Sequence, residues 1–80
     1  MVTIRLFGLI AENSGARTFV IEAETVRETL AHLAGMGIDK DMLYGALLFI
    51  NGKPVTGVTR LRHRLSDGDE LAFLPPAGGG

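Results

Sequence analysis

The residues best suited to chemistry in this 80-residue chain are its last six, Pro75-Pro76-Ala77-Gly78-Gly79-Gly80, which end in a carboxylate carried on glycine. Glycine has no Cβ and adopts extended and positive-φ conformations alike, so such a run can thread a narrow channel and bring its carboxylate to a reacting centre. A free carboxylate is a weak electrophile. Chemistry at Gly80 therefore calls for activation, and an acyl-adenylate made from ATP by a partner enzyme is the expected form. Gly78 and Gly79 are the residues expected to enter that partner's active site. Fixing each glycine would cost roughly 1–2 kcal/mol of backbone entropy, so residues 75–80 are expected to form a mobile arm on a stiff base of Pro75 and Pro76.

Little else in the chain is equipped to react. With no cysteine, there are no disulfides, thiolate metal sites or thiol nucleophiles. Ser14 and Ser66 have no recognisable activating base, and the two histidines fall on segments expected to be exposed. The chain is therefore expected to act as a substrate rather than as a catalyst on its own, with no stably bound cofactor and no metal. Asp67 and Asp69 lack the twelve-residue ligand-rich loop and closing glutamate of a calcium site, which leaves a turn. The one basic cluster, Arg60, Arg62, His63 and Arg64, is either a contact for an acidic partner or a solvated turn. A net charge of -1 gives no drive toward nucleic acid. The apolar runs are too short for a membrane span, and Met1 leads into alternation rather than a signal peptide, so a cytoplasmic location is expected.

The elements that must hold the arm follow from periodicity. Val2, Ile4 and Leu6 alternate with Thr3, Arg5 and Phe7 as in a half-buried strand. A loop through Ala11-Glu12-Asn13-Ser14-Gly15 is expected to lead to a second, antiparallel strand with Phe19, Ile21 and Ala23 inward. Thr25 and Glu28 have the spacing of a capping box, with Glu28 reaching back to the Thr25 amide. Val26, Leu30 and Leu33 then share one helical face, His32 points away, and Gly35 and Gly37 end the helix. Residues 38–44 are a candidate short helical turn capped by Asp39. Residues 46–50 read as a third strand, Asn51-Gly52 as a tight hairpin turn, and Lys53-Pro54-Val55 as an edge strand. Leu61 and Leu65 anchor the next stretch, Ser66-Asp67-Gly68-Asp69 turns, and Glu70 opens a last strand with Leu71 and Phe73 inward. The expected fold is α+β: a mixed sheet of about four to five strands with one main helix across one face, the ubiquitin-like β-grasp arrangement, in a domain of residues 1–74 followed by the arm. Alternation puts Leu48 and Ile50 in the core and leaves Phe7, Leu47, Phe49 and Leu74 on the opposite sheet face. With Pro75 and Pro76 these form the expected partner-binding surface.

The opening Val2-Thr3-Ile4-Arg5-Leu6-Phe7-Gly8, the Asn51-Gly52 turn, the stretch Leu65-Ser66-Asp67-Gly68-Asp69-Glu70-Leu71-Ala72-Phe73 and the terminal Pro75-Pro76-Ala77-Gly78-Gly79-Gly80 resemble the small subunit of molybdopterin synthase, the MoaD-like sulfur carriers. The likeness spans essentially the whole chain. It implies that an E1-like enzyme adenylates Gly80, that a sulfur donor enzyme converts the adenylate to a thiocarboxylate, and that the large synthase subunit takes that sulfur for the molybdopterin dithiolene. Two departures stand out: Gly78 replaces a small residue with a side chain, and the loop at Ala11-Glu12-Asn13 lacks a basic residue. Alternatives are a carrier for thiamine, amino acid or tRNA thiolation, a ubiquitin-like protein modifier, and an interaction module with an inert tail.

Overall fold

The computed structural model describes residues 1–76; Gly78, Gly79 and Gly80, with the rest of the expected arm after Pro76, lie outside the described residues. Strand β1 (Val2–Leu6) buries Val2, Ile4 and Leu6, while Thr3 and Arg5 face away. It pairs antiparallel with β2 (Thr18–Ile21), with Ile4 opposite Phe19. Strands β3 (Leu47–Ile50) and β4 (Lys53–Val55) form a hairpin across Asn51 and Gly52. Those two residues have φ of 51° and 82°, the left-handed pair that a type I′ turn requires. Pro54, which has no N–H to donate, sits in the edge strand β4. The last strand, β5 (Glu70–Leu74), enters the middle of the sheet, parallel to β1 and antiparallel to β3, giving the order β2-β1-β5-β3-β4.

Helix α1 (Gly8–Ser14) occupies part of the segment expected to be a loop. Its N-terminus has no capping side chain, so its local sequence gives no start signal. Burial of Ile10 and Ala11 and a left-handed Gly15 at its end specify it instead. Helix α2 (Val26–Gly35) begins as expected, with the Glu28 amide donating to Thr25 Oγ1 at 3.2 Å. The return half of the box differs: Glu28 Oε1 accepts from the Glu24 amide at 3.1 Å rather than from that of Thr25. The extended backbone at Thr25 brings the preceding amide within reach of the carboxylate. Val26, Leu30 and Leu33 face the sheet with Thr29, whose hydroxyl is satisfied by the Thr25 carbonyl at 3.1 Å. The short α3 (Lys40–Gly45) is capped by Asp39, whose carboxylate accepts from the amides of Asp41 and Met42. Asn13 Oδ1 accepts from the Asp39 amide at 2.9 Å and ties α1 to α3.

The core lies on one side of the sheet. Leu71 and Phe73 of β5, Ile4 and Leu6 of β1, and Leu48 and Ile50 of β3 meet Leu30 and Leu33 of α2, Ile10 of α1 and Leu43 of α3. Burying a side chain such as Phe73 contributes about 1.5–3 kcal/mol. Leu61 and Leu65 pack on the margin, half-buried. Among the described residues no helix is long and apolar enough to cross a membrane.

Candidate functional site

On its other face the sheet changes character along β5. Outward residues at the start of the strand are charged: Glu70 accepts from Arg5 Nη1 at 3.2 Å, with both side chains about half exposed. Toward its end they are apolar. Leu74 is opposite Leu47 and Ala72 is opposite Phe49, so the outward residues of β3 and β5 form one stripe. Phe7, just beyond β1, extends that stripe; its amide donates to the Phe73 carbonyl at 3.1 Å and keeps it beside the end of β5. Phe7 and Leu47 are each 40% exposed, and Phe49 and Leu74 are half-buried. The four residues singled out from alternation are therefore brought together on the face opposite α2. They lie at the end of the sheet from which the chain departs.

Pro75 and Pro76 follow directly. Pro75 is half-buried and packs against Gly8, whose φ is +58°. Beside them is an apolar groove of about 260 Å³ lined by Leu9, Ile10, Met42, Pro75 and Pro76. Leu9, 63% exposed, is one of the most open large apolar side chains. Sequence reasoning missed Gly8, Leu9 and Met42 as neighbours of the tail base. With Ala11 to Gly15 read as a loop and Leu9 assigned to no element, nothing local links Gly8, Leu9 or Met42 to Pro75.

The charged residues are occupied structurally. Asp69 Oδ2 accepts from the Ser66 amide at 2.8 Å and its Oδ1 from Asn51 Nδ2 at 2.9 Å. These bonds, the Ser66 amide first and Asn51 second, hold the Asp69 carboxyl below its ordinary range. Asp67 pairs with the Met1 amino group at 2.6 Å, and the Gly68 amide donates to the Met1 carbonyl at 2.8 Å. The aspartate-glycine-aspartate segment is thus a staple joining β1, β3 and β5. Arg60 is committed too: its guanidinium donates to the carbonyls of Ala46 and Tyr44 at 3.0 and 2.8 Å. Arg62, His63 and Arg64 remain exposed. Among the described residues no group of three or more acidic or histidine side chains is placed to hold a metal ion. The buried polar side chain there is Thr29, already hydrogen-bonded. What this part of the molecule offers chemically is a surface and an exit direction for the segment that follows.

Comparison with protein families matches residues 4–80 to the ThiS family. No curated protein matches the chain by sequence. Among solved structures, SAMP1 from Haloferax volcanii is similar at 26% identity with a TM-score of 0.76, the match covering 99% of this chain and 98% of that one. A chain in the complex of subunits 1 and 2 of the molybdopterin-converting factor from Helicobacter pylori is 28% identical, with a TM-score of 0.71 and coverage of 99% and 97%. Small archaeal modifier protein 1 from Methanosarcina acetivorans shares the fold at a TM-score of 0.80 and 24% identity, over 99% of this chain and 95% of that one.

Proposed function

The chain belongs to the ThiS family and has the fold of ubiquitin-like sulfur carriers and modifiers; from this premise we propose that it is a sulfur carrier, the small subunit of a molybdopterin synthase. In this reading the Gly80 carboxylate attacks the α-phosphorus of ATP on an E1-like enzyme, with release of pyrophosphate. Sulfur delivered by a donor enzyme at the sulfide level then attacks the acyl carbon, displaces AMP from the acyl-adenylate and leaves a thiocarboxylate. The large synthase subunit binds the stripe of Phe7, Leu47, Phe49 and Leu74, with Pro75 and Pro76 at its rim. Gly78 and Gly79 thread its active site, where the sulfur passes to the molybdopterin precursor. The carrier supplies the sulfur and the complex supplies the catalysis.

The observation that carries this reading is the coincidence of the apolar stripe with the end of β5: a partner that covers Leu47 and Leu74 meets the emerging chain at once. The 28% identity to a chain from a two-subunit molybdopterin-converting factor supports the acceptor. Incubation with ATP, an E1-like enzyme and a sulfur donor should exchange one oxygen of Gly80 for sulfur, read as an intact-mass change. A chain adenylated by that enzyme yet never thiolated would sink the proposal. The similarity to SAMP1 favours a second reading, protein modification, in which the activated Gly80 forms isopeptide bonds with lysines. Gly80-linked lysine conjugates in lysate would support it. Carriers for thiamine, amino acid or tRNA thiolation share the first steps and differ in the acceptor that takes the sulfur.

A further inference from the structure

Gly8 combines two features that no other described glycine combines. Its φ is +58°, and a Cβ built on it would lie 2.6 Å from Pro75 Cγ and 3.3 Å from Pro75 Cδ. Gly15, Gly37, Gly52, Gly57 and Gly68 also have positive φ, yet a Cβ on any of them would have nothing within 4 Å. A left-handed turn therefore accounts for those five and leaves the Pro75 contact unexplained at Gly8. Carbon atoms in contact sit about 3.5–4.0 Å apart, so a side chain at residue 8 would drive the ring outward by roughly an ångström. Ring pucker can move Cγ aside, but Cδ, 3.3 Å from the same point, is bonded to the backbone nitrogen and yields only with it. The φ of Pro75 is fixed by proline geometry, Leu74 before it is in register with Leu47, and the Phe7 amide holds the Phe73 carbonyl at 3.1 Å. What pucker does not absorb passes into the Pro75 backbone and on to Pro76.

We infer that Gly8 is a positioning residue for the reaction at Gly80: its missing side chain is the seat for the Pro75 ring, and this seat sets the direction in which the arm leaves the sheet. The inference rests on the carrier reading. Leu9, Ile10 and Met42 form the apolar groove along the same two prolines, so the departing chain has a glycine backbone beneath its first ring and an apolar wall beside it. The seat acts at the base of the arm rather than on the reacting atoms: by pre-setting Pro75 and Pro76 it spares the receiving enzyme part of the cost of ordering the arm, an effect on capture that is read in kcat/KM.

The test uses the full chain with Gly8→Ala, Gly15→Ala, Pro75→Ala and the double variant Gly8→Ala/Pro75→Ala. The measurements are kcat/KM for ATP–pyrophosphate exchange on the E1-like enzyme, the thermal midpoint, and the residual dipolar coupling of the Ala77 amide. Gly15→Ala introduces comparable left-handed strain at the far end of the same helix, so it should lower the midpoint and leave exchange and coupling unchanged. Gly8→Ala, by losing that pre-organisation, should lower kcat/KM by about tenfold and change the coupling. The double variant, with the ring gone, should exchange no worse than Pro75→Ala alone. Losses that multiply in the double variant, or a Gly8→Ala chain that behaves like Gly15→Ala, would overturn the inference. If the unsubstituted chain is not adenylated at all, the carrier reading falls instead. The dipolar coupling then judges the seat by itself, and an unchanged value in Gly8→Ala refutes it.

Discussion

Asn51 is a sensitive point of the scaffold, because a single side chain there does three things. It occupies the left-handed region at φ 51°, its Oδ1 accepts from the Glu70 amide at 2.9 Å, and its Nδ2 donates to Asp69 at 2.9 Å. Replacing Asn51 by glycine keeps the backbone conformation and removes both side-chain bonds. Each such bond contributes roughly 0.5–1.5 kcal/mol, and since water reaches these groups the low end applies, giving a loss of about 1–2 kcal/mol. Asn51→Ala removes the same bonds and adds a left-handed penalty of about 1–2 kcal/mol, for a total of about 2–4 kcal/mol. Urea denaturation of both variants separates these contributions, with similar m-values expected and alanine the lower in midpoint. The Asp69 carboxyl provides a second measurement by NMR titration. In Asn51→Gly its midpoint should rise yet stay below the ordinary value, because the Ser66 amide, the larger cause, remains. Asn51→Asp should raise it further by placing a second carboxylate against it. Equal stability of the glycine and alanine variants, or an Asp69 midpoint indifferent to all three changes, would refute the reasoning.

Two further outcomes are expected. Leu47→Glu puts a charge on the outer stripe beside Leu74, so under the proposed function Kd for the large synthase subunit, measured by calorimetry, should rise by about thirtyfold or more, the scale of a 2 kcal/mol hot spot, with little change in thermal midpoint; undiminished binding would remove Leu47 from the interface. Because the folded state depresses the Asp69 pKa, its stabilisation is present above the unfolded value, about 3.9, and is lost as pH falls through the folded one. Asp69→Asn should therefore flatten the acid limb of a stability–pH curve and leave the curve's shape at neutral and higher pH alone, and an acid limb as steep as before would count against that assignment.

The features legible in the sequence are those whose cause is local. Alternation in Val2-Thr3-Ile4-Arg5-Leu6 and in Leu47-Leu48-Phe49-Ile50 assigns each side chain to a face, so the outer stripe follows from periodicity alone. Thr25 with Glu28, Asp39, and Asn51 with Gly52 carry their own capping and turn chemistry. Helix α1 has only Gly15 at its end and no signal at its start: Ile10 and Ala11 are helical because the core needs them there, a tertiary cause that no window of sequence contains. Arg60 shows the same limit in reverse, since its neighbours mark it as one of a basic cluster while its guanidinium is held by carbonyls of Tyr44 and Ala46. The seat of Pro75 on Gly8 joins residues from opposite ends of the chain and appears only when β1 and β5 lie side by side.

The parallel pairing of β1 with β5 has a mechanical consequence for a protein held by its tail. Met1 is at the beginning of β1 and Pro75 is at the end of β5, so tension applied between them pulls the two strands past each other lengthwise. Their hydrogen bonds, among them Thr3 to Asp69 and Phe7 to Phe73, are then loaded together in shear rather than opened one after another like a zip. Extension by the two termini is therefore resisted by all of these bonds at once rather than by the weakest of them.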